Sequence, residues 1–225
     1  MLLEIKDLVK TFDQPGGGRL TVLDVPEFLI DQGQQMALIG TSGGGKTTLL
    51  HLIAGLLTAD NGSIRIAGTD LMRLSEQGRD RFRAACVGYV FQTFNLLPAF
   101  TAIENVRLGM TFGPGTYDPR RADELLAKVG LADRADYKPA QLSVGQQQRV
   151  AIARALAGRP KVLLADEPTA NVDPNSAASV LELIRASCRD ENIALLMVTH
   201  SMDIADQLDS TVRLEDINRA LATSC

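Results

Sequence analysis

Glycines, a lysine and two threonines stand together in "GTSGGGKTTLL", residues 40–50, directly after the apolar run "MALI". Gly40, Gly45, Lys46 and Thr47 satisfy the spacing G-x-x-x-x-G-K-[ST]. Glycines let a backbone wrap closely enough for successive N–H groups to point at phosphate oxygens, and a helix that follows adds its positive N-terminal end. Lys46 is placed to reach β- and γ-phosphates, the Thr47 hydroxyl to ligate Mg²⁺, and Thr48 to hydrogen-bond phosphate. Ser42, Gly43 and Gly44 complete the loop, and extra carbon at Gly43 or Gly44 would obstruct the wrap. An ordinary glycine-rich turn satisfies the same spacing, but the strand before and the helix after supply the context that the phosphate reading requires.

A second constellation is "VLLADEP", which delivers Asp166 and Glu167 to the end of a short apolar run. In P-loop nucleotidases an Asp so placed holds Mg²⁺. Glu167, one residue on, is positioned to orient and polarise an attacking water. On its own the pair reads equally well as two acids opening a turn at Pro168; beside the glycine loop it reads as chemistry. His200 ends the apolar run "MVTH", between the polar residues Thr199 and Ser201. At the carboxyl end of a strand in an α/β sheet it lies on the ligand-binding edge, where it can contact a γ-phosphate. His51, a turn into the helix after the loop, reads as a packing or surface residue.

These residues need an α/β scaffold, and the sequence predicts one. Residues 2–9, 35–40, 62–68, 86–92, 161–166 and 193–200 read as strands. The two last are short, apolar throughout and preceded by helical patterns, as buried parallel strands are. Residues 62–68 alternate between glycines and read as antiparallel or edge. Helices are predicted over about 46–57 and 175–189, the second joining two parallel strands as a βαβ unit. Between 93 and 157 the patterns "TAIENVRLGM", "DPRRADELLAKVG" and "VGQQQRVAIARALAG" are helical, punctuated by Pro98, Gly113-Pro114-Gly115 and Pro139. The expected organisation is one unit over 1–225. Its core is 1–92 and 158–225 with an antiparallel β region, and a helical subdomain over 93–157 is inserted. "DQPGGGR" (13–19) reads as a loop, and the end of the chain is too short for an added domain.

Composition narrows the classes. Of 225 residues, 45% are hydrophobic, enough for a full core. Lys plus Arg number 23 against 27 Asp plus Glu, a net charge of −4, which is not a nucleic-acid footprint. No apolar run approaches the ~20 residues that cross a bilayer, and "MLLEIKDLVK" lacks the layout of a signal peptide, so a membrane role goes through a partner. Cys86, Cys188 and Cys225 have neither a disulfide nor a metal spacing; a reducing cytoplasm suits them, and Cys188 continues the apolar face of Ala177, Val180, Leu181 and Ile184.

"QLSVGQQQRVAIARALAGRPKVLLADEPTANVD" (141–173) carries more than a nucleotide site. Over nearly its whole length the chain resembles the ATP-binding cassette (ABC) ATPases. "LSVGQ" (142–146) resembles that family's signature, and "ADEPTANVD" its extended Walker B and D-loop. Gln92 in "YVFQTFNLLP" resembles the Q-loop glutamine, His200 the switch histidine, and Phe12 in "LVKTF" the aromatic that stacks on adenine. The resemblance implies an ATPase that uses Mg²⁺, with Thr47, Gln92 and Asp166 managing the metal, Glu167 as general base and His200 at the γ-phosphate. It implies a head-to-tail homodimer in which each ATP lies between the P-loop of one copy and Ser143, Gly145 and Gln146 of the other, with Asp173 in a D-loop crossing the interface. The signature is expected to precede a helix over Arg149–Ala157. Two positions depart from the pattern. Gly44 and Gly45 stand where one glycine is usual, and the third signature position, usually glycine, is Val144. A β-branched residue is strained at positive φ, so either φ is negative there or the loop differs locally.

In that family the region after the Q-loop, here 91–110, meets a membrane partner. Its wording is most similar to the lipoprotein-release and macrolide-export group. This implies a transport motor, peripheral on the cytoplasmic face of the cell membrane, bound to an integral membrane permease and to a second copy of itself. The competing class is a non-transport ABC ATPase, such as a force relay to cell-envelope enzymes. Nucleic-acid types generally carry tandem cassettes, long coiled coils or basic extensions, and none of these is visible in this sequence. A P-loop kinase does not account for the signature.

Overall fold

The computed structural model describes residues 1–113 and 117–222. Its strands are β1 (Leu3–Asp13), β2 (Arg19–Ile30), β3 (Gln35–Ile39), β4 (Asn61–Ile66), β5 (Thr69–Asp70), β6 (Val87–Val90), β7 (Val162–Asp166), β8 (Ala194–Val198) and β9 (Ser210–Arg213). Its helices are α1 (Lys46–Ile53), α2 (Glu76–Cys86), α3 (Ala102–Thr111), α4 (Pro119–Lys128), α5 (Val144–Ala157), α6 (Pro174–Asp190), α7 (Met202–Ala205), α8 (Leu214–Ile217) and α9 (Arg219–Ala222).

The apolar runs become the centre of a parallel sheet ordered β6-β7-β8-β3-β9. Every residue of β3, β7 and β8 is buried, as strands covered on both faces must be. Successive side chains alternate between two cores. Ala37, Leu163, Ala165, Leu195 and Met197 face one core, shared with α3, α4, α5 and α6. Leu38, Leu164, Leu196 and Val198 face the other, shared with α1 and with an antiparallel sheet ordered β2-β1-β4-β5. Thus α1 is clamped between the two sheets through Leu49, Leu50, Leu52 and Ile53, which fixes the loop that feeds it. The helix α6 joins β7 to β8 as a βαβ crossover, with Cys188 buried on its apolar face beside Val180 and Ile184.

Several boundaries differ from the sequence reading. The helix α1 ends at Ile53 and not near Leu57, because Gly55 turns left-handed at φ +67°, a conformation that terminates helices. The strand β2 lies outside the predicted set: Pro26 interrupts its alternation, and Pro is tolerated because β2 is an edge strand. The helix α2 was also unpredicted; it has no buried residue and hence no apolar stripe. β9 is a four-residue edge strand without a buried residue. The signature does not stand before its helix. The helix α5 begins at Val144, five residues earlier than expected from the resemblance, so "VGQ" is its first turn. Pro114, Gly115 and Cys225 lie outside the described residues.

Candidate functional site

Five parallel strands deliver their carboxyl ends to one edge of the sheet, the edge at which open α/β sheets bind ligands. β3 leads into Gly40–Gly45, and Gly43 and Gly45 adopt φ of +77° and +103°. Gly45 is the N-cap of α1 and offers no side chain to its orphan N–H groups. That leaves the first turn of α1 open to an anion. Within this cradle Lys46 is only 9% exposed, and its ammonium group donates to the Gly40 and Thr41 carbonyls at 2.8 Å each.

A cavity of about 270 Å³ opens on the cradle. It is lined by Ser42, Gly43, Gly45, Lys46, Thr47, Thr48, Gln92, Asp166, Glu167 and Val198. Nine of these ten are residues the sequence singled out, gathered from β3, β6 and β7. Asp166 is 7% exposed. Burial pushes its carboxyl above the usual carboxylate range, while the Thr47 hydroxyl, His51 and Lys46 pull it back. A buried carboxylate held this way favours a cation beside it.

Glu167 takes a left-handed backbone, φ +48°, and its N–H donates to Val198 O at 3.0 Å. A non-glycine residue at positive φ is rare and concentrates at working sites. Its side chain is turned to the end of β8, where Oε2 lies 2.7 Å from His200 Nδ1. The histidine is largely exposed and the carboxylate mostly covered, so the two form a dyad at the rim of the cavity.

The remaining sequence-predicted residues lie elsewhere. Phe12 pairs across β1 and β2 with Leu20; both are exposed, and Lys10 Nζ stands 5.3 Å from the Phe12 ring centroid. Ser143 caps α5 in a reciprocal box: its hydroxyl accepts from Gln146 N–H, and Gln146 Oε1 accepts from Ser143 N–H at 2.9 Å. Val144 is the first helical residue and half exposed. Positive φ is therefore not required there, and Val144 fits without strain. Asp173 caps α6 by accepting from Ser176 N–H at 3.0 Å. A Cβ on Gly145 would lie 3.7 Å from Val172 and 3.9 Å from Ser176 Oγ, so the N-termini of α5 and α6 are neighbours. None of Ser143, Gly145, Gln146 or Asp173 lines the phosphate cavity.

Three supporting residues were not read from the sequence. Asn171 donates to Gln92 O at 2.8 Å. Arg154 of α5 donates to Phe94 O and Asn95 O, both residues at positive φ. Gln148, fully buried, donates to Pro168 O at 2.7 Å. Each acts through a backbone carbonyl distant in sequence, which leaves no local motif. Beyond the Q-loop an apolar groove of about 710 Å³ opens between α2, β6, α3 and α5. Leu56, Phe91, Leu97, Leu108 and Phe112 line it, with Asp80, Arg81, Arg83 and Arg154 also in its lining; Phe112 is 74% exposed.

Residues 23–170 match the family described as ABC transporter. The chain belongs to that family. Its cassette is similar over 94% of its length, at 46% identity, to 92% of the lipoprotein-releasing system ATP-binding protein LolD of Nitrobacter hamburgensis. It is 41% identical to an uncharacterized ABC transporter ATP-binding protein, YbbA, of Escherichia coli K12, over 95% of this chain and 94% of that one. Among solved structures it superposes on the ATP-binding cassette MJ0796, a dimer bound to ADP and phosphate, with a TM-score of 0.86, 32% identity and 94% of each chain covered. As a member of this family the cassette binds ATP and is an ATPase coupled to transport. Among the described residues no helix is long and apolar enough to cross a membrane.

Proposed function

We propose that this cassette is the ATP-hydrolysing subunit of a lipoprotein-release type transporter, held on the cytoplasmic face of the cell membrane by an integral membrane permease. The observation that carries the reading is the split site. Loop, metal carboxylate and base line one cavity, whereas the signature cap of α5 and the cap of α6 stand outside it. A second copy, paired head to tail, brings Ser143, Gly145, Gln146 and Asp173 to an ATP in the first copy's cradle, as a twofold interface permits. The likeness to dimeric MJ0796 and the names of the LolD relatives support this assembly.

Each residue then has a step. N–H groups of 43–48 and Lys46 bind the β- and γ-phosphates, and Phe12 stacks on adenine. Asp166, Thr47 and Gln92 line the cavity together, and their hard oxygens fit Mg²⁺, whose remaining positions phosphate and water would fill. Held by these residues, Mg²⁺ would supply positive charge against that developing on the phosphates. Glu167 accepts the proton of the attacking water as its oxygen bonds to the γ-phosphorus and the bond to ADP breaks. His200 orients that carboxylate and, turning, contacts the γ-phosphate. Residues 93–157 serve as a helical subdomain that carries the signature at one end and supplies one wall of the apolar groove at the other. The groove suits an apolar segment of the permease.

Glu167→Gln tests the core of this reading. Turnover should fall roughly a hundred- to ten-thousand-fold, while ATP binding persists and the protein elutes as a dimer with ATP. Hydrolysis at the parental rate would remove Glu167 from the role of base.

A further inference from the structure

The end of the chain reaches back to the phosphate loop. Glu215, on α8, accepts a hydrogen bond from Thr41 N–H, Oε1 to N 2.8 Å. Lys46 holds the same peptide unit's neighbourhood from the other side through the Thr41 and Gly40 carbonyls. Gly40 permits the approach: a Cβ there would lie 3.1 and 3.2 Å from the two Glu215 carboxylate oxygens and 3.2 Å from Leu214 Cβ. Leu214 is fully buried in the core that contains α1.

The same segment is anchored by Asn218, which is 1% exposed. Its Oδ1 accepts from Asp24 N–H at 2.8 Å, and its Nδ2 donates to Val22 O at 2.9 Å. Val22 and Leu23 each stand 3.1 Å from where a Cβ on Gly45 would be. Both ends of the loop, Gly40 and Gly45, therefore abut groups tied to residues 214–218.

We propose that Glu215 is a positioning residue for ATP: it fixes the Thr41 peptide so that Lys46 and the inward N–H groups are set before the phosphates arrive. This rests on reading 40–48 as a triphosphate cradle. The carboxylate acts on the loop from Thr41, ahead of the N–H groups assigned to phosphate, and so does not compete with the nucleotide. Hydrogen bonding by Thr41 N–H holds its carboxyl below the usual range, with help from the Thr41 hydroxyl and from Lys46, so it is ionised at neutral pH. A loop already ordered loses less freedom on binding, and affinity rises accordingly.

The test compares Glu215→Ala and Glu215→Ser, both too short to reach Thr41, with Glu215→Gln, which keeps an oxygen acceptor, in the full chain. Kd for ATP and KM should rise roughly tenfold in Ala and Ser, the scale of one charge-assisted hydrogen bond. The kcat should stay within about twofold, and Gln should recover most of the affinity. Amide exchange at Thr41 should quicken in Ala and Ser and remain slow in Gln. Unchanged Kd and KM in the short variants, or a loss in kcat that Gln does not restore, would overturn the proposal. Failure of the parental chain to bind ATP would instead overturn the cradle itself.

Discussion

Asp166 shows the conflict a working residue can carry. It sits at the end of a fully buried strand, and burial raises its pKa above the ordinary 3.8. With the folded pKa above the unfolded one, the folded chain binds more protons in the window just above 3.8. Stability therefore falls as pH rises through that window and stays reduced at neutral pH. Asp166→Asn removes the buried charge while keeping the shape. Its Tm without nucleotide at pH 7 should exceed the parental Tm, while MgATP hydrolysis drops by at least about 100-fold, since the metal loses the carboxylate assigned to it. A melting point at or below the parental value would mean that burial is not what strains this carboxylate. Glu167 has a different setting. Its constraint is in the backbone, at φ +48°, and its side chain is held by His200, so Gln in its place should leave the fold nearly undisturbed and the chemistry lost.

At the scale of elements, α5 separates structural from functional roles. Ser143 is a reciprocal N-cap within its own chain, and the proposed ATP contact is made in trans. Ser143→Ala should lose about 1 kcal/mol of helix stability, or a Tm drop of about 2–4 °C in a chain of this size. Ser143→Asn supplies another capping oxygen and should keep the melting point. If the hydroxyl also meets a partner's ATP, both variants lose ATPase activity together; activity that follows the melting point would leave Ser143 with capping alone. The same comparison of elements explains what could be read in advance. β3, β7 and β8 were legible because burial on both faces makes them apolar except at Gln35, where β3 starts, and Asp166, where β7 ends. β3 leads straight into the glycine cradle, β7 ends on Asp166 with Glu167 next, and β8 is followed two residues on by His200, so the site residues are legible with their strands. β2 was not legible, because Pro26 and an exposed outer face hide its pattern, and α2 was not, because its surface buries nothing completely. Val144 would be a strained departure only in a loop at positive φ; as the first residue of a helix it needs no special conformation. Glu215 and Arg154 act on carbonyl and amide groups 174 and about 60 positions away, and a contact of that kind writes no spacing into the sequence.

Across the whole molecule, the cavity and the groove share their framework. Gln92 lines the cavity, and its neighbours Phe91 and Leu97 line the groove. Between them, Phe94 and Asn95 are tied to Arg154 near the end of the helix that begins with the signature. If the permease fills the groove, as proposed, it meets the loop and the helix that carry the two halves of the ATP site. Leu97 is the side chain to change: it is 43% exposed and lies on the groove wall, so Leu97→Lys adds to the proposed docking surface, without opening the core, a charge of the sign that the lining arginines cannot pair. The free cassette should fold and hydrolyse ATP within about twofold of the parental rate, as expected for a surface change away from the cavity. Co-purification with the membrane permease, captured in the Glu167→Gln background with ATP present, should fall at least about tenfold, since an ammonium group moved into this contact must be desolvated in a groove already lined by Arg81, Arg83 and Arg154. Capture at the parental level would exclude the groove as the permease's seat. A matching loss of ATPase in the isolated cassette would show that Leu97 serves the Q-loop directly, and that the path from groove to site is not the one drawn through Arg154.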